Sequence, residues 1–534
     1  MTRSSIVAGV AFAAAVASIG LPTGTAFQPQ GSSATALPGE RRSPTSEFTV
    51  VETSIRELQE SMGAGRTTSV VLVNAYLERI RKYDKAGPQI NAMIALNPRA
   101  AEEARALDEE RRKRGPRGLL HGVPIVVKDN YSTADLPTTA ASKALEGFET
   151  RRDGFMVKRL REAGAVILGK TNMHELAYGI TNISSMGGQT RNPYDPTRNP
   201  GGSSGGTGAA VAASFAAAGM GSDTCGSIRN PSASNNLFGL RGTMGLSSRE
   251  GIVPLAHSQD IGGPLARSVA DLAIMLDATV GFDPGDPVTG ESRGHVPRTY
   301  LASDAAERGV SRGGASLAGV SIGLLAQLLG TAPEDAEVGR IVHDAVTATG
   351  RLGASVADVG IPAFDDILAG SSVINAEFKF DLMDFLARFP GAPMHTLDEI
   401  VGSGKYDPAI DTVLKRANAV SSRSSDEYRL ALEKRAKARR IVLDFMSRHG
   451  LTVLAYPTLR RKPAIIGQQQ LGSNCQLSAS TGLPAISMPA GFTADGLPVG
   501  VDLLGGPFSE PTLLRIAFAY EKQARPRRPP AATP

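Results

Sequence analysis

Short, uninterrupted apolar runs bounded by glycine or proline constrain this chain most. Val123-Pro-Ile-Val-Val127 and Ala165-Val-Ile-Leu168 have no polar face and are too short for helices, so they read as strands buried on both sides. Residues 155–163, between them, carry apolar side chains at helical spacing, which gives β-α-β order. The strand signal returns at 452–456, 485–488 and 499–504, and residues 510–523 close the chain as a helix with Ser509 as its cap. The N-terminal part is helical. Thr53 or Ser54 caps a helix bearing Ile55, Leu58 and Met62 and ended by Gly63; the cluster Thr67, Thr68, Ser69 caps a second through Val73, Leu77 and Ile80; Asn97-Pro98 opens a third carrying Ala100, Ala104 and Leu107. No repeat at a period of about 20–50 residues suggests a solenoid or propeller. Strands at both ends enclosing one glycine-rich middle predict a single large α/β domain, with 281–450 as a mostly helical excursion.

Composition narrows the function classes. Hydrophobic residues at 41% and charged residues at 20% build a large core, which excludes a disordered or collagenous chain. Two cysteines and seven scattered histidines offer no ligand spacing, so no metal or other cofactor is expected. The basic runs at 111–114 and 525–528 lack interleaved aromatics and read as solvated faces, with no nucleic-acid partner. Residues 1–26 read as a signal peptide: Arg3, an apolar run at 6–20, then Gly24-Thr-Ala26 as a cleavage site. That run is short for a span of about 20 residues, so no stable membrane span is expected in the mature chain. Export to the periplasm or medium follows. Residues 27–46 read as a flexible linker, 47–524 as the folded domain and 525–534 as a disordered tail.

Two motif matches fail on context. Gly164-Ala-Val-Ile-Leu-Gly169-Lys170-Thr171 fits the P-loop pattern, but its four intervening residues make the strand itself, where a phosphate loop must follow one. Gly201-Gly-Ser203-Ser-Gly205 fits a nucleophile elbow, yet a proline-punctuated loop precedes it instead of a strand. A third constellation is spread wider: Lys128 at a buried strand end, Gly201-Gly-Ser203-Ser-Gly-Gly206, and Gly221-Ser-Asp-Thr-Cys-Gly-Ser227-Ile-Arg229.

With these segments in this order, the sequence resembles the amidase signature family. The resemblance runs from Leu120 to about Val280 through Arg191-Asn-Pro, Gly239-Leu-Arg-Gly-Thr-Met-Gly245 and Gly251-Ile-Val-Pro254, and resumes at Gly482-Leu-Pro-Ala-Ile-Ser-Met-Pro489. It implies a central mixed, twisted β-sheet flanked by helices, with core motifs at 120–280 and a variable substrate-pocket region at 281–450. It also implies a catalytic set of Ser227 as nucleophile, Ser203 as bridging serine behind a cis Gly202-Ser203 peptide, and Lys128 as base. A serine hydroxyl needs such a base, and lysine serves only when burial keeps it neutral. Backbone amides of Thr224, Cys225, Gly226 and Ser227 would form the oxyanion hole. Asp223 and Arg229 would hold the loop. Many family members have glycine where Cys225 stands; a reactive thiol there, or a pairing with Cys475, is not expected.

The resemblance implies an amide hydrolase that cleaves a linear carboxamide through a seryl acyl-enzyme, acting on a small molecule as a monomer or homodimer. The rivals are the glutamine-hydrolysing component of a tRNA-dependent amidotransferase, which export disfavours, and a carbamate or ester hydrolase of the same family. A binding protein on a dead scaffold conflicts with the intact catalytic positions. Phe378, Phe380, Met383 and Phe385 either line an apolar substrate pocket or, at this spacing, belong to the core, which is the favoured reading.

Overall fold

Every strand predicted from an apolar run lies in one sheet. The computed structural model describes residues 48–301 and 316–534; the signal peptide and the linker lie outside them. The strands are β1 (Met93–Leu96), β2 (Pro124–Lys128), β3 (Val166–Thr171), β4 (Ala218–Asp223), β5 (Phe238–Arg241), β6 (Ile261–Ala266), β7 (Ser321–Leu325), β8 (Ser355–Val359), β9 (Val453–Pro457), β10 (Ala485–Phe492) and β11 (Pro498–Leu504). They pair in the order β1-β3-β2-β4-β6-β5-β10-β11-β9-β7-β8. β2 runs parallel to β3 and β4, and β7 parallel to β8 and β9, while the middle of the sheet is antiparallel. The sheet is mixed, as expected.

Ile125, Val126 and Val127 are fully buried, each stabilising the fold by about 1.5–3 kcal/mol. Ser54 caps α1 (Ile55–Gly63) in a capping box with Glu57, and Thr68 caps α2 (Ser69–Tyr83). The third helix, α3 (Ala100–Arg114), buries Ala100 and Ala104, and α4 (Phe155–Glu162) fills the β-α-β unit. Two further helices flank the serine segments: α5 (Gly205–Ala212), buried on all sides, and α6 (Arg229–Ser234). No helix of the described residues is long and apolar enough to cross a membrane.

Besides its helices, the 281–450 excursion contributes β7 and β8, which extend the sheet at one edge. β8 is mostly exposed, so it carries no uninterrupted apolar run. The tail is not disordered: Arg527 is half-buried and pairs with Glu52 at 2.7 Å, and Arg79 holds the last two carbonyls. A guanidinium supplied with carboxylate and carbonyl acceptors can be buried, which a composition reading misses. Ser509 precedes the last helix, Glu510–Ala524, but its hydroxyl bonds back to the Gly506 carbonyl and does not cap it.

Phe378 and Phe385 belong to a buried apolar cluster that joins the helix Ile374–Ala387 to Met173, Leu176 and Leu255. That is the core reading, and the cluster fixes one wall of the cavity described next.

Candidate active site

Sheet register brings the chemistry together. β2 and β4 are parallel neighbours paired at Val126–Gly219 and Val127–Met220, so Lys128 at the end of one lies beside Ser222 and Asp223 at the end of the other. Carboxyl ends of parallel strands are where α/β sheets hold ligands. Lys128 Nζ donates to Ser203 Oγ at 2.7 Å and to Ser222 Oγ at 2.9 Å. Ser203 sits just before α5, behind a cis Gly202-Ser203 peptide. A Cβ at Gly202 would come within 2.9 Å of the Ile180 backbone, so only glycine fits there. Ser204 N donates to the Ser227 carbonyl at 3.1 Å, which ties the two serine segments.

Burial pushes the Lys128 ammonium down to about 7, against the opposing pull of Asp260 and Asp223. Asp129 does not pair with it; that carboxylate pairs with Lys170 at 3.2 Å. Lys170 and Gly169 lie inside the buried strand β3, so the P-loop match is structural.

The loop from Thr224 to Ile228 is held by buried charges. Arg229 bridges Asp223 at 3.1 Å and Asp502 at 2.7 Å, and Arg241 also reaches Asp223. Burial alone would raise the Asp223 carboxyl; the two guanidiniums outweigh it and hold it well below the usual range. Thr224 Oγ1 donates to Asp260 at 2.5 Å, and Gln259 Nε2 to the Thr224 carbonyl at 2.8 Å. Gly226 N donates to Asp223 Oδ1 at 2.7 Å. That amide is therefore committed, which removes Gly226 from the expected oxyanion donors and leaves Thr224, Cys225 and Ser227. Gly226 has φ +83, and a Cβ there would meet Cys475 Cβ at 2.9 Å.

Cys225 and Cys475 form a disulfide across 250 residues, contrary to expectation. Spacing does not reveal which cysteines pair. The crosslink joins the loop before Ser227 to the segment entering the helix Gln476–Thr481. Closing so long a loop restricts the unfolded chain, so replacing both cysteines by alanine is expected to cost about 2–4 kcal/mol. Thermal melts of the double variant check this; a melting temperature equal to that of the oxidised parent would contradict it.

Ser227 lines a cavity of about 260 Å³ with Cys225, Tyr178, Ile180, Leu255 and Ile374 among its walls. No charged side chain lines it among the described residues. Ser227 Oγ has no hydrogen-bond partner among those residues, Ser203 included, so the structure joins Lys128 to Ser203 and leaves Ser227 open to the cavity. Hydrogen bonds of this kind commonly tighten only when substrate binds. Phe378, Phe380, Met383 and Phe385 do not line this cavity.

Sequence reasoning missed His174 and Ser222. Burial, then the Lys128 charge, pushes His174 down to about 3. Neutral at Nδ1, the ring accepts from Asn182 N at 3.1 Å and Thr181 N at 3.3 Å, which anchors the loop bearing Gly179 and Ile180. Ser222 lies within the glycine-rich segment that ends at Arg229, but only the register of β2 on β4 shows that it meets Lys128.

The family model "Amidase" matches residues 71–514. The chain belongs to the amidase family. Among its relatives, this amidase-family chain is 33% identical over 506 residues to a protein named probable amidase from Arabidopsis thaliana, covering 91% of this chain and 93% of that one. It is 36% identical over 490 residues to a glutamyl-tRNA(Gln) amidotransferase subunit of Pseudomonas fluorescens, covering 88% and 96%. The solved structure of native peptide amidase from Stenotrophomonas maltophilia superposes with a TM-score of 0.82 at 37% identity, covering 90% of this chain and 99% of that one. The fold is the single large α/β domain of these amidases.

Proposed function

We propose that this chain hydrolyses neutral linear carboxamides through an acyl-enzyme on Ser227. The observation that carries the reading is the 2.7 Å contact of a buried Lys128 with Ser203, beside the cavity that Ser227 lines. Lys128, neutral in a large fraction near pH 7, accepts through Ser203 the proton that Ser227 loses as its oxygen attacks the amide carbon. Amides of Thr224, Cys225 and Ser227 stabilise the oxyanion; one such donor typically contributes about 3–4 kcal/mol in the transition state. The proton returns to the leaving nitrogen as the C–N bond breaks. Water then gives a proton to Lys128 through the same relay and adds to the ester carbonyl; the acyl C–Oγ bond breaks, Ser227 Oγ takes the proton back, and the carboxylic acid departs.

The cavity walls favour an uncharged, apolar acyl portion. Free glutamine carries an ammonium and a carboxylate, and burying both without counter-charges is costly, which argues against the amidotransferase reading despite 36% identity to a component of such an enzyme. The likeness to peptide amidase favours peptide C-terminal amides. Export is part of the proposal: disulfides persist in oxidising compartments, and Cys225–Cys475 suits one.

A panel of a peptide amide, benzamide, an anilide, a carbamate, an ester and glutamine tests this. The amides are expected to exceed glutamine in kcat/KM by at least about 100-fold, a gap of ~2.7 kcal/mol; glutamine as best substrate would overturn the reading.

A further inference from the structure

Ser473, Asn474 and Gln476, which flank Cys475, line a second cavity of about 550 Å³, roughly twice the volume of the one at Ser227. Its size lies within the range of small-molecule sites. Leu328, Phe364, Leu368 and Leu477 supply apolar wall, and Arg460 supplies a cation.

Arg460 differs from its neighbours. Arg461 pairs with Asp335 at 2.8 Å and Lys462 with Asp495 at 2.7 Å, whereas no acid pairs with Arg460 among the described residues. Its Nε, like those of Arg111, Arg241 and Arg267, is buried there without a hydrogen-bond partner, so only its terminal nitrogens are left to meet a ligand. The residue is also held in place: Arg460 N donates to the Gly472 carbonyl at 2.7 Å, and Leu459 bridges Ser473. A braced hairpin therefore holds an arginine on the wall of an amphipathic cavity.

We propose that this cavity is a second binding site, taking a monocarboxylate with an apolar body. The guanidinium fork matches a carboxylate in a bidentate pair, and the leucine and phenylalanine faces take the body. Asp365, exposed on the same cavity, disfavours a second anionic group. The site is separate from the catalytic cavity and adjoins its wall. Gln476 Nε2 donates to Ser371 Oγ at 3.2 Å, next to Ser372 of the catalytic cavity, and the disulfide links Cys475 to Cys225.

Titration calorimetry of the full chain with hexanoate and succinate tests the site, and it reads binding whatever the chemistry at Ser227. Hexanoate is expected to bind the parent, with Kd raised about tenfold or more in Arg460→Ala and Arg460→Gln, as loss of a charge-assisted bond implies. Arg460→Lys is expected to fall between. Succinate is expected to bind more weakly than hexanoate, and Asp365→Asn to narrow that gap. Because Arg460 lies outside the catalytic cavity, KM for benzamide without added carboxylate should stay unchanged in these variants. No hexanoate binding to the parent at about 10 mM, or a Kd equal to the parent's in both Arg460→Ala and Arg460→Gln, would overturn the proposal.

Discussion

Alanine at Ser227 is expected to lower kcat by roughly 10⁴-fold or more for every amide the parent turns over, with KM little changed. The reason is that the hydroxyl oxygen forms the bond to carbon, while substrate is held by the cavity walls and backbone amides, which the substitution leaves in place. Ser227 Oγ makes no hydrogen bond to the described residues, so the variant loses no structural contact and should melt with the parent. Single-turnover rates beside thermal melts separate the two effects. A folded Ser227→Ala enzyme with parental kcat would remove the residue from the reaction.

Methionine at Lys128 is expected to cost between about a hundredfold and ten-thousandfold in acylation, the usual contribution of a positioned base. Lys128 titrates near 7 in the fold, against an ordinary 10.5. The parent rate should therefore climb with pH through about 7, as the ammonium loses its proton, and Lys128→Met should lose that limb. Stability moves the other way. A folded value below the unfolded one means the unfolded chain holds the extra proton between about 7 and 10.5, so this group makes parent stability rise with pH across that window and imposes its full penalty below it. Replacing the buried cation by an apolar side chain of similar volume removes the penalty, so the variant should be at least as stable as the parent near neutrality. A variant that keeps both rate and pH profile would contradict the base assignment; a destabilised one would show that Lys128 is mainly structural.

Much of this is legible in the residues because the chemistry sits where local patterns are strongest. Uninterrupted apolar runs locate β2, β3 and β9, and the glycine-rich segments mark the backbone that packs around Lys128, Ser203 and Ser227. What the residues alone do not display depends on long-range placement. β8 is exposed and carries no core pattern. The partner of Cys225 is 250 residues away. Arg527 packs into the fold because Glu52, far off in the chain, waits for it. Gly226 has the position of an oxyanion donor, yet its amide is taken by Asp223, a competition between neighbours that spacing does not show. The unpaired state of Arg460 becomes visible only once Arg461 and Lys462 are seen to have acids and it is seen to have none.

The central claim is the seryl acyl-enzyme, and its most direct measurement is mass spectrometry of enzyme quenched in acid during turnover of a slow anilide. The expected result is an acyl group in place of the hydroxyl hydrogen of Ser227, found in the peptide spanning Thr224 to Arg229 and absent from Ser227→Ala. Steady turnover with no adduct under conditions where deacylation limits the rate, or an adduct on any other residue, would contradict it.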